Sequence, residues 1–183
     1  YGMDGSFILS QKYHKTANND FGYKYDIEFG KISGNFLWEL SHALESNTYD
    51  PNDMGFLRAN NEISYHADLE YNIYDPFWKF LDMSNSFDIG YSSLYKPSNF
   101  TSFYLSTNSY VTFLNHLSLG SNIYIRPVDE HDYYESRTPD RKFVVPPGGS
   151  FSLWLSPDYR KAFIVDLNTD FFKFFDNTTH GFY

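Results

Sequence analysis

Polar and apolar residues alternate along much of this chain, and the clearest case is the segment 62–73. Every second residue there is apolar, from Ile63 through Tyr65, Ala67, Leu69 and Tyr71 to Ile73. A period of two predicts a β-strand with one apolar and one polar face. The open question is whether the apolar face packs in a soluble core or contacts lipid.

The same alternation predicts eight further strands, at residues 1–12, 21–30, 35–46, 85–95, 101–113, 117–126, 150–156 and 162–172. In 35–46, Leu37, Leu40 and Leu44 also fit the 3.6-residue period of a helix, but we favour a strand. The pattern therefore predicts an all-β chain of about nine strands in one domain, residues 1–183.

The predicted connections alternate in length. Short ones at residues 31–34, 114–116 and 157–161 alternate with long, turn-rich ones at 47–60 and 127–149. Outer-membrane β-barrels have short turns at the periplasmic end and long loops outside. This asymmetry favours an up-and-down barrel of that type.

The composition excludes several classes of protein. The net charge of −9 argues against nucleic acid, because binding phosphates needs a basic surface. The absence of cysteine rules out disulfides and thiolate metal sites. The sequence contains no run of eighteen apolar residues, so it predicts no transmembrane helix, whereas barrel strands need only about 9–11 residues.

Side-chain types differ between the two faces of the predicted strands. The polar face is rich in Ser, Asn, Asp, Glu and Gly with little Lys, which suits a hydrated lumen. The apolar face is rich in Tyr and Phe, and aromatic residues of the chain total 21%. Rings near strand ends, such as Tyr23, Tyr71, Tyr74 and Tyr95, and the Phe77-Trp78 connection, are typical of an aromatic girdle. A soluble β-barrel also uses many aromatics and remains the alternative.

Nine residues are candidate lumen or ligand contacts on the polar side: Glu62, His66, Asp68, Glu70, Asp88, Asn108, Asn122, Arg126 and Asp166. Paired carboxylates can perform glycoside hydrolysis at suitable separations, but sequence fixes no separation across a sheet. A hydrated, acidic interior is the favoured interpretation. No catalytic, cofactor or metal motif appears, since none of the six histidines has a partner at metal-ligand spacing.

The two long connections carry a second set of candidates, expected outside the membrane: Asp50, Asn52, Asp53, Arg137 and Arg141. The three residues of the first loop are possible oxygen ligands for calcium, but Met54 follows where an EF-hand needs an acid or amide. A structured turn is favoured, with Met54, Phe56 and Leu57 folding back onto the barrel rim.

Several strings resemble a family of Bacteroidota outer-membrane proteins: GYKYDIEFGKISGNF, SHALESNTYDPNDMGFL with the following NNE, YNIYDPF and DYRK. They cover residues 21 to about 170, and YDPNDMGFL is the specific part. Members carry an N-terminal domain similar to family 9 carbohydrate-binding modules and are longer than this chain. The resemblance implies an outer-membrane β-barrel of unknown activity, linked to glycans through that domain.

Pattern and resemblance together predict an antiparallel up-and-down β-barrel of the outer-membrane type, present here as an incomplete portion of a larger barrel. We expect a place in the bacterial outer membrane, with lipid, and a glycan or partner protein, as partners. Expected roles are solute passage or surface anchoring, without a cofactor. The alternative is a soluble β-barrel or β-sandwich that binds a glycan or an apolar ligand.

Overall fold

The computed structural model describes residues 1–13, 20–52, 60–135, 141–175 and the backbone of 180–182. Within these ranges the chain is all-β. The strands are β1 (Gly2–Lys12), β2 (Asp20–Lys31), β3 (Phe36–Glu45), β4 (Glu62–Ile73), β5 (Phe80–Leu94), β6 (Phe100–Phe113), β7 (Ser118–Arg126), β8 (Glu130–Asp132), β9 (Phe143–Val145), β10 (Gly148–Ser156), β11 (Leu167–Phe174) and β12 (His180–Phe182).

Ten of these strands form one antiparallel sheet in the order β1-β2-β3-β4-β5-β6-β7-β10-β11-β12. Each strand pairs with its neighbours along the chain, except that the short hairpin β8–β9 interrupts the path from β7 to β10. In the described residues the sheet is open, with β1 at one edge and β12 at the other. The architecture is therefore an up-and-down meander that is not closed into a barrel.

The alternation keeps its phase across the whole sheet. In register with Leu69 of β4 lie Trp38 of β3 and Phe87 of β5, and the same row continues through Thr107 to Ile123. We call this side the apolar face. Its apolar members in β1 to β7 include Met3, Phe7, Leu9, Tyr23, Tyr25, Ile27, Phe29, Phe36, Trp38, Leu40, Leu44, Ile63, Tyr65, Leu69, Tyr71, Ile73, Met83, Phe87, Ile89, Tyr91, Phe103, Leu105, Val111, Leu119, Ile123 and Ile125.

The opposite side, the polar face, carries the intervening residues. Asp68 of β4 lies between Glu39 of β3 and Asp88 of β5, and Asn108 of β6 lies opposite Asn122 of β7. A one-residue slip at any strand pair would mix the two sets, so the pattern specifies the register.

All nine predicted strands are present, and the strand prediction for 35–46 is confirmed by β3. Two boundaries were wrong. β5 begins at Phe80 rather than after the 75–83 segment, and β11 begins at Leu167, so residues 162–166 belong to a connection. The apolar run 163–165 led to the early predicted start of β11, although Phe163 is 82% exposed in the structure.

The long loop predicted at 127–149 has secondary structure of its own. It contains the β8–β9 hairpin, and β10 already begins at Gly148. Three-residue strands are too short to show a period in sequence. The 47–60 loop has no strand in its described part, residues 47–52 and 60; Met54, Phe56 and Leu57 lie outside the described residues.

Connection lengths differ between the two ends of the sheet. Connections 46–61 and 127–147 lie at one end, which we call the long-connection end, together with the short connection 95–99. Connections 32–35, 74–79, 114–117 and 157–166 lie at the other, the short-connection end. The first of these turns at Gly34, whose φ of 96° favours glycine. The predicted asymmetry is therefore present, except that 95–99 is short and 157–166 is longer than predicted.

Among the described residues, the large apolar side chains that are buried cluster at the long-connection end. They are Leu44, Tyr49 and Leu94. On the apolar face the hydroxyls of Tyr23 and Tyr95 meet at 2.9 Å, and these rings reach towards each other from β2 and from the end of β5. The chain exposes 12,448 Å². This accessible surface is about a third larger than the surface expected for a soluble folded monomer of the same mass, 21.5 kDa.

No described segment is a helix with the length and apolarity needed to cross a bilayer.

Candidate functional site

Three carboxylates lie side by side at the centre of the polar face. Glu39, Asp68 and Asp88 occupy one row across β3, β4 and β5. Like charges directly opposite each other repel, so the row favours water or donor groups around it. The predicted lumen contacts Asp68 and Asp88 are thereby brought together, which sequence alone could not establish.

His66 lies one row from this group and contacts an aromatic side chain. Its Nδ1 is 3.3 Å from the Tyr104 hydroxyl, and Tyr104 stacks on Tyr124 with ring centroids 5.4 Å apart. The Tyr104 ring lies over Gly90, where a Cβ would come within 2.2 Å of it. Glycine is therefore required under this ring. The hydrogen-bond partner of His66 is therefore Tyr104, a residue that the sequence did not single out.

A second ring lies flat over a glycine further along the polar face. The Trp154 ring of β10 covers Gly120 of β7, where a Cβ would meet the indole at 2.2 Å. Asn122, two residues along β7, donates from Nδ2 to the Thr107 carbonyl at 3.4 Å. An aromatic ring that packs over a glycine of the neighbouring strand fills the space above it and stabilises the pairing of the two strands.

At the long-connection end the β8–β9 hairpin covers part of the polar face. A cavity of about 290 Å³ lies beneath β8. Its lining residues come from β4, β5, β6 and the hairpin: Glu62, Ser92, Leu94, Thr101, Ser102, Glu130, His131, Asp132, Tyr133 and Tyr134. Of the predicted contacts, Glu62 lines this cavity. The Thr101 hydroxyl is buried there without a hydrogen-bond partner in the described residues.

Three contacts hold the hairpin over the sheet. Arg126 Nη1 donates to Glu130 at 2.6 Å, and the Phe100 and His131 rings meet edge to face at 5.7 Å. The Tyr134 hydroxyl donates to the carbonyl of Asn60 in the neighbouring long connection. Burial, with a smaller contribution from nearby carboxylates, raises the pKa of Tyr134 above its usual value, so its hydroxyl keeps its proton.

The first long connection also folds onto the polar side. The Asp50 carboxylate accepts from Lys12 Nζ at 2.9 Å, and the Asp50 N–H donates to Ser10 Oγ. The backbone and side-chain N–H groups of Asn52 donate to the same carboxylate, at 3.1 and 2.7 Å. The ammonium group and these donors lower the pKa of Asp50 to about 2. The structured turn predicted here is present in its described part.

The remaining predicted residues are dispersed. Glu70 accepts from Asn72 Nδ2 at 3.2 Å and lines a second cavity of about 230 Å³ near the short-connection end, with Glu39 and Asp68. Arg141 is exposed between β8 and β9. Asp53 and Arg137 lie outside the described residues.

The placement of Asp166 on the polar face of a strand was wrong. Because β11 starts one residue later, Asp166 lies in connection 157–166. There its carboxylate accepts from the hydroxyls of Ser156 and Tyr159, at 3.1 and 2.6 Å. In the same connection Arg160 lowers the pKa of Asp158 far below its usual range. Both carboxylates therefore make their contacts within the connection between β10 and β11.

In the described parts of the chain, no three His, Asp or Glu side chains are placed to hold a metal ion. Sequence reasoning missed the hairpin, Tyr104 and Trp154. For the two rings, the only signal in the sequence was an aromatic residue at a polar-face position; the structure places each one opposite a glycine of the neighbouring strand.

No curated protein and no solved structure matches this chain. One family profile matches all of it, residues 1–183, under the description domain of unknown function (DUF5916). The chain therefore belongs to the DUF5916 family.

Proposed function

We propose that this sheet is part of the wall of an outer-membrane β-barrel, with the apolar face towards lipid and the polar face towards a hydrated lumen. The wall serves solute passage or anchors a partner domain at the cell surface. Further strands complete the barrel.

The observation that carries the proposal is that the middle of the apolar face is uncovered in the described residues, whereas Leu44 and Ser93 of the same face are buried at the long-connection end. Tyr65, Leu69 and Tyr71 of β4 keep 48%, 41% and 46% of their surface exposed in the interior of a ten-stranded sheet. A soluble sandwich would bury such residues under a second sheet. Exposed apolar surface of this extent needs a partner, and lipid covers a continuous, one-sided band of it.

Aromatic residues at both ends of the apolar face support the same orientation. Tyr23 and Tyr95 lie at the long-connection end. At the other end Trp38 packs against Phe29 with centroids 5.4 Å apart, and Phe80 packs against Phe113 at 5.0 Å. Aliphatic residues such as Ile27, Leu40 and Ile89 lie between the two groups. Girdles on either side of an apolar band are typical of outer-membrane barrels.

The polar face supports a hydrated lumen rather than a dry core. Its central row consists of carboxylates, and the long connections fold over it at one end, as described above. We place that end outside the cell, because long loops of such barrels are extracellular. A donor-rich or cationic solute fits the acidic row better than an anion does.

The resemblance noted above adds a link to glycans. In this proposal a carbohydrate-binding domain outside residues 1–183 recognises the glycan, and the barrel holds that domain at the surface. The carboxylate row is then part of the passage and carries no hydrolytic step.

Extraction behaviour tests the proposal. Expressed with an export signal in a Gram-negative host, the protein should sediment with outer membranes and resist extraction by high salt and by carbonate. It should require detergent and migrate differently on unboiled and boiled gels. A monodisperse preparation without detergent would overturn the proposal.

One observation favours a soluble binding module instead. A groove of about 370 Å³ on the apolar face, lined by residues including Met83, Val111, Leu119 and Phe151, has the size of a small-ligand pocket. Asn85, Ser109 and Ser121 lie on its floor. For that alternative, detergent-free protein should bind a fluorescent fatty acid, and substitution of Ser109 by Phe should abolish binding.

A further inference from the structure

The cavity beneath the β8–β9 hairpin has a floor on the polar face of the sheet and a roof from a single segment of chain. The floor contains Glu62 and Leu94, which lie opposite each other, and Ser92 and Ser102 in the next row. The roof is formed by residues 130–134. A volume of about 290 Å³ is close to the lower end of the range for pockets that hold small organic ligands. The cavity therefore has room for a ligand larger than a bare ion.

The lining carries negative charge that the described residues do not balance. Glu130 pairs with Arg126 at 2.6 Å, and Asp132 accepts from two backbone N–H groups that follow it. Glu62 has no hydrogen bond or ion pair with another described residue, and its neighbour across β3 and β4 is a second carboxylate, Glu45. None of the described lining residues is Lys or Arg. A partly enclosed site with this charge favours a cationic ligand.

The one further cation beside the described roof does not neutralise these carboxylates. Lys142 of the connection before β9 lies with its Nζ 3.0 Å from Nε2 of His131, on the ring. Glu45 has its own partner, since Lys24 Nζ donates to it at 2.6 Å. The carboxylate of Glu62 is therefore the group in the lining with the most capacity to accept from a ligand.

A hydroxyl in the wall of the cavity also lacks a partner. Thr101 is the extra residue of a β-bulge, because Ser92 pairs with Ser102 whereas Ser93 pairs with Phe100. Its hydroxyl is buried without a hydrogen-bond partner in the described residues. A buried polar group in this state is destabilising unless another group bonds to it, and bulges are frequent next to functional sites. A donor group in the cavity would supply the missing hydrogen bond.

An ammonium group on a small apolar body matches these features. Its three N–H donors can bond to the Glu62 carboxylate and to hydroxyls of the floor. The body can contact Leu94, and the lining includes the rings of Tyr133 and Tyr134, which attract cations. A bare metal ion fits less well, because no group of three His, Asp or Glu side chains in the described ranges is placed to hold one.

We propose that the cavity beneath the β8–β9 hairpin binds a small organic ammonium ion, held by Glu62 and the hydroxyls of the floor and covered by residues 130–134. The proposal goes beyond the proposed function, since recognition of a cation in this cavity does not require lipid. In the proposed barrel the site would lie at the outer end of the passage, where it would concentrate cationic solutes.

Isothermal titration calorimetry with phenethylamine as the probe tests the requirement for charge. 2-Phenylethanol has nearly the same shape without the charge. The chain 1–183 should bind the amine one to one, and about tenfold or more tightly than the alcohol, because the alcohol makes no charge-assisted hydrogen bond. The titrations use detergent or plain buffer, whichever keeps the protein monodisperse, and a titration into protein-free solution is subtracted. Absent binding of the amine, or equal binding of the two probes, would overturn the proposal.

The Glu62→Gln variant tests the location. This exchange keeps the shape of an exposed side chain, and it should weaken binding of the amine about tenfold or more without changing that of the alcohol. The matched control is Glu70→Gln, on the same face of the same strand but in the lining of the other acidic cavity. Unchanged binding in Glu62→Gln, or an equal loss in Glu70→Gln, would overturn the proposal.

The unaltered chain gives a readout that needs no variant. Raising the salt concentration should weaken binding of phenethylamine and leave that of 2-phenylethanol unchanged, because salt screens the attraction between the amine and the carboxylates. An equal response of the two probes to salt would contradict recognition of the charge.

The two proposals fail in distinguishable ways. If the chain is monodisperse without detergent and binds the amine through Glu62, only the membrane function fails. If the chain needs detergent and binds the amine no better than the alcohol, only the cation site fails.

Discussion

Replacing Leu69 with lysine tests whether the apolar face contacts lipid or water. Leu69 lies in the interior of β4, in register with Trp38 and Phe87, and its side chain is 41% exposed. At the midplane of a bilayer a lysine on the lipid face costs about 2–4 kcal/mol. In water a half-exposed lysine there would change stability by about 0.5 kcal/mol or less.

The matched control is Ser86→Lys, at the same level of the sheet but on the polar face opposite Glu70. Both variants would be folded into phosphatidylcholine vesicles and unfolded in urea, with the folded fraction read from gel mobility. We expect the folding equilibrium constant of Leu69→Lys to fall about 30- to 700-fold, and that of Ser86→Lys to change by less than about threefold. Equal effects of the two lysines would refute a lipid-facing Leu69.

Three further predictions concern the ends of the sheet. Gly22→Ala should destabilise the fold by about 1–3 kcal/mol in urea unfolding, because its Cβ would come within 2.3 Å of the Tyr49 backbone; a change below 0.5 kcal/mol would contradict this packing. The pKa of Asp50 is lowered to about 2 from 3.8, so its stabilising effect should be complete above about pH 4 and lost as the pH falls towards 2. Asp50→Asn should lower stability at pH 6 but not at pH 2, and an equal loss at both would contradict the ion pair with Lys12. Tyr134→Phe removes the hydroxyl bonded to the Asn60 carbonyl, which should speed proteolysis of the β8–β9 hairpin about two- to tenfold, whereas Tyr133→Phe should not.

The strands could be predicted because the alternation is local and long. Residues 62–73 show their two faces without tertiary information, and the neighbouring strands repeat the pattern in phase. The alternation predicts on which face of the sheet Asp68, Asp88 and Glu39 lie. It does not predict that the three carboxylates occupy one row. Register across strands depends on turn lengths and non-local pairing, which one strand's sequence does not contain.

The β8–β9 hairpin and the position of Asp166 could not be predicted, for different physical reasons. β8 and β9 are too short to show a period, and their position over the polar face depends on contacts such as Arg126 with Glu130. Asp166 was misplaced because the apolar residues 163–165 look like the start of a strand. In the structure these residues are exposed and belong to a connection.

The distribution of tryptophans gives the most direct test of which face contacts lipid. Trp38 lies on the apolar face, and Trp154 lies on the polar face over Gly120. Variants that keep only one of these two, with the other tryptophans changed to Phe, would be folded into vesicles whose acyl chains carry bromine, a contact quencher of indole fluorescence. The account predicts strong quenching of Trp38 and almost none of Trp154. Equal quenching of the two, or no quenching of Trp38, would contradict a wall with lipid on its apolar face.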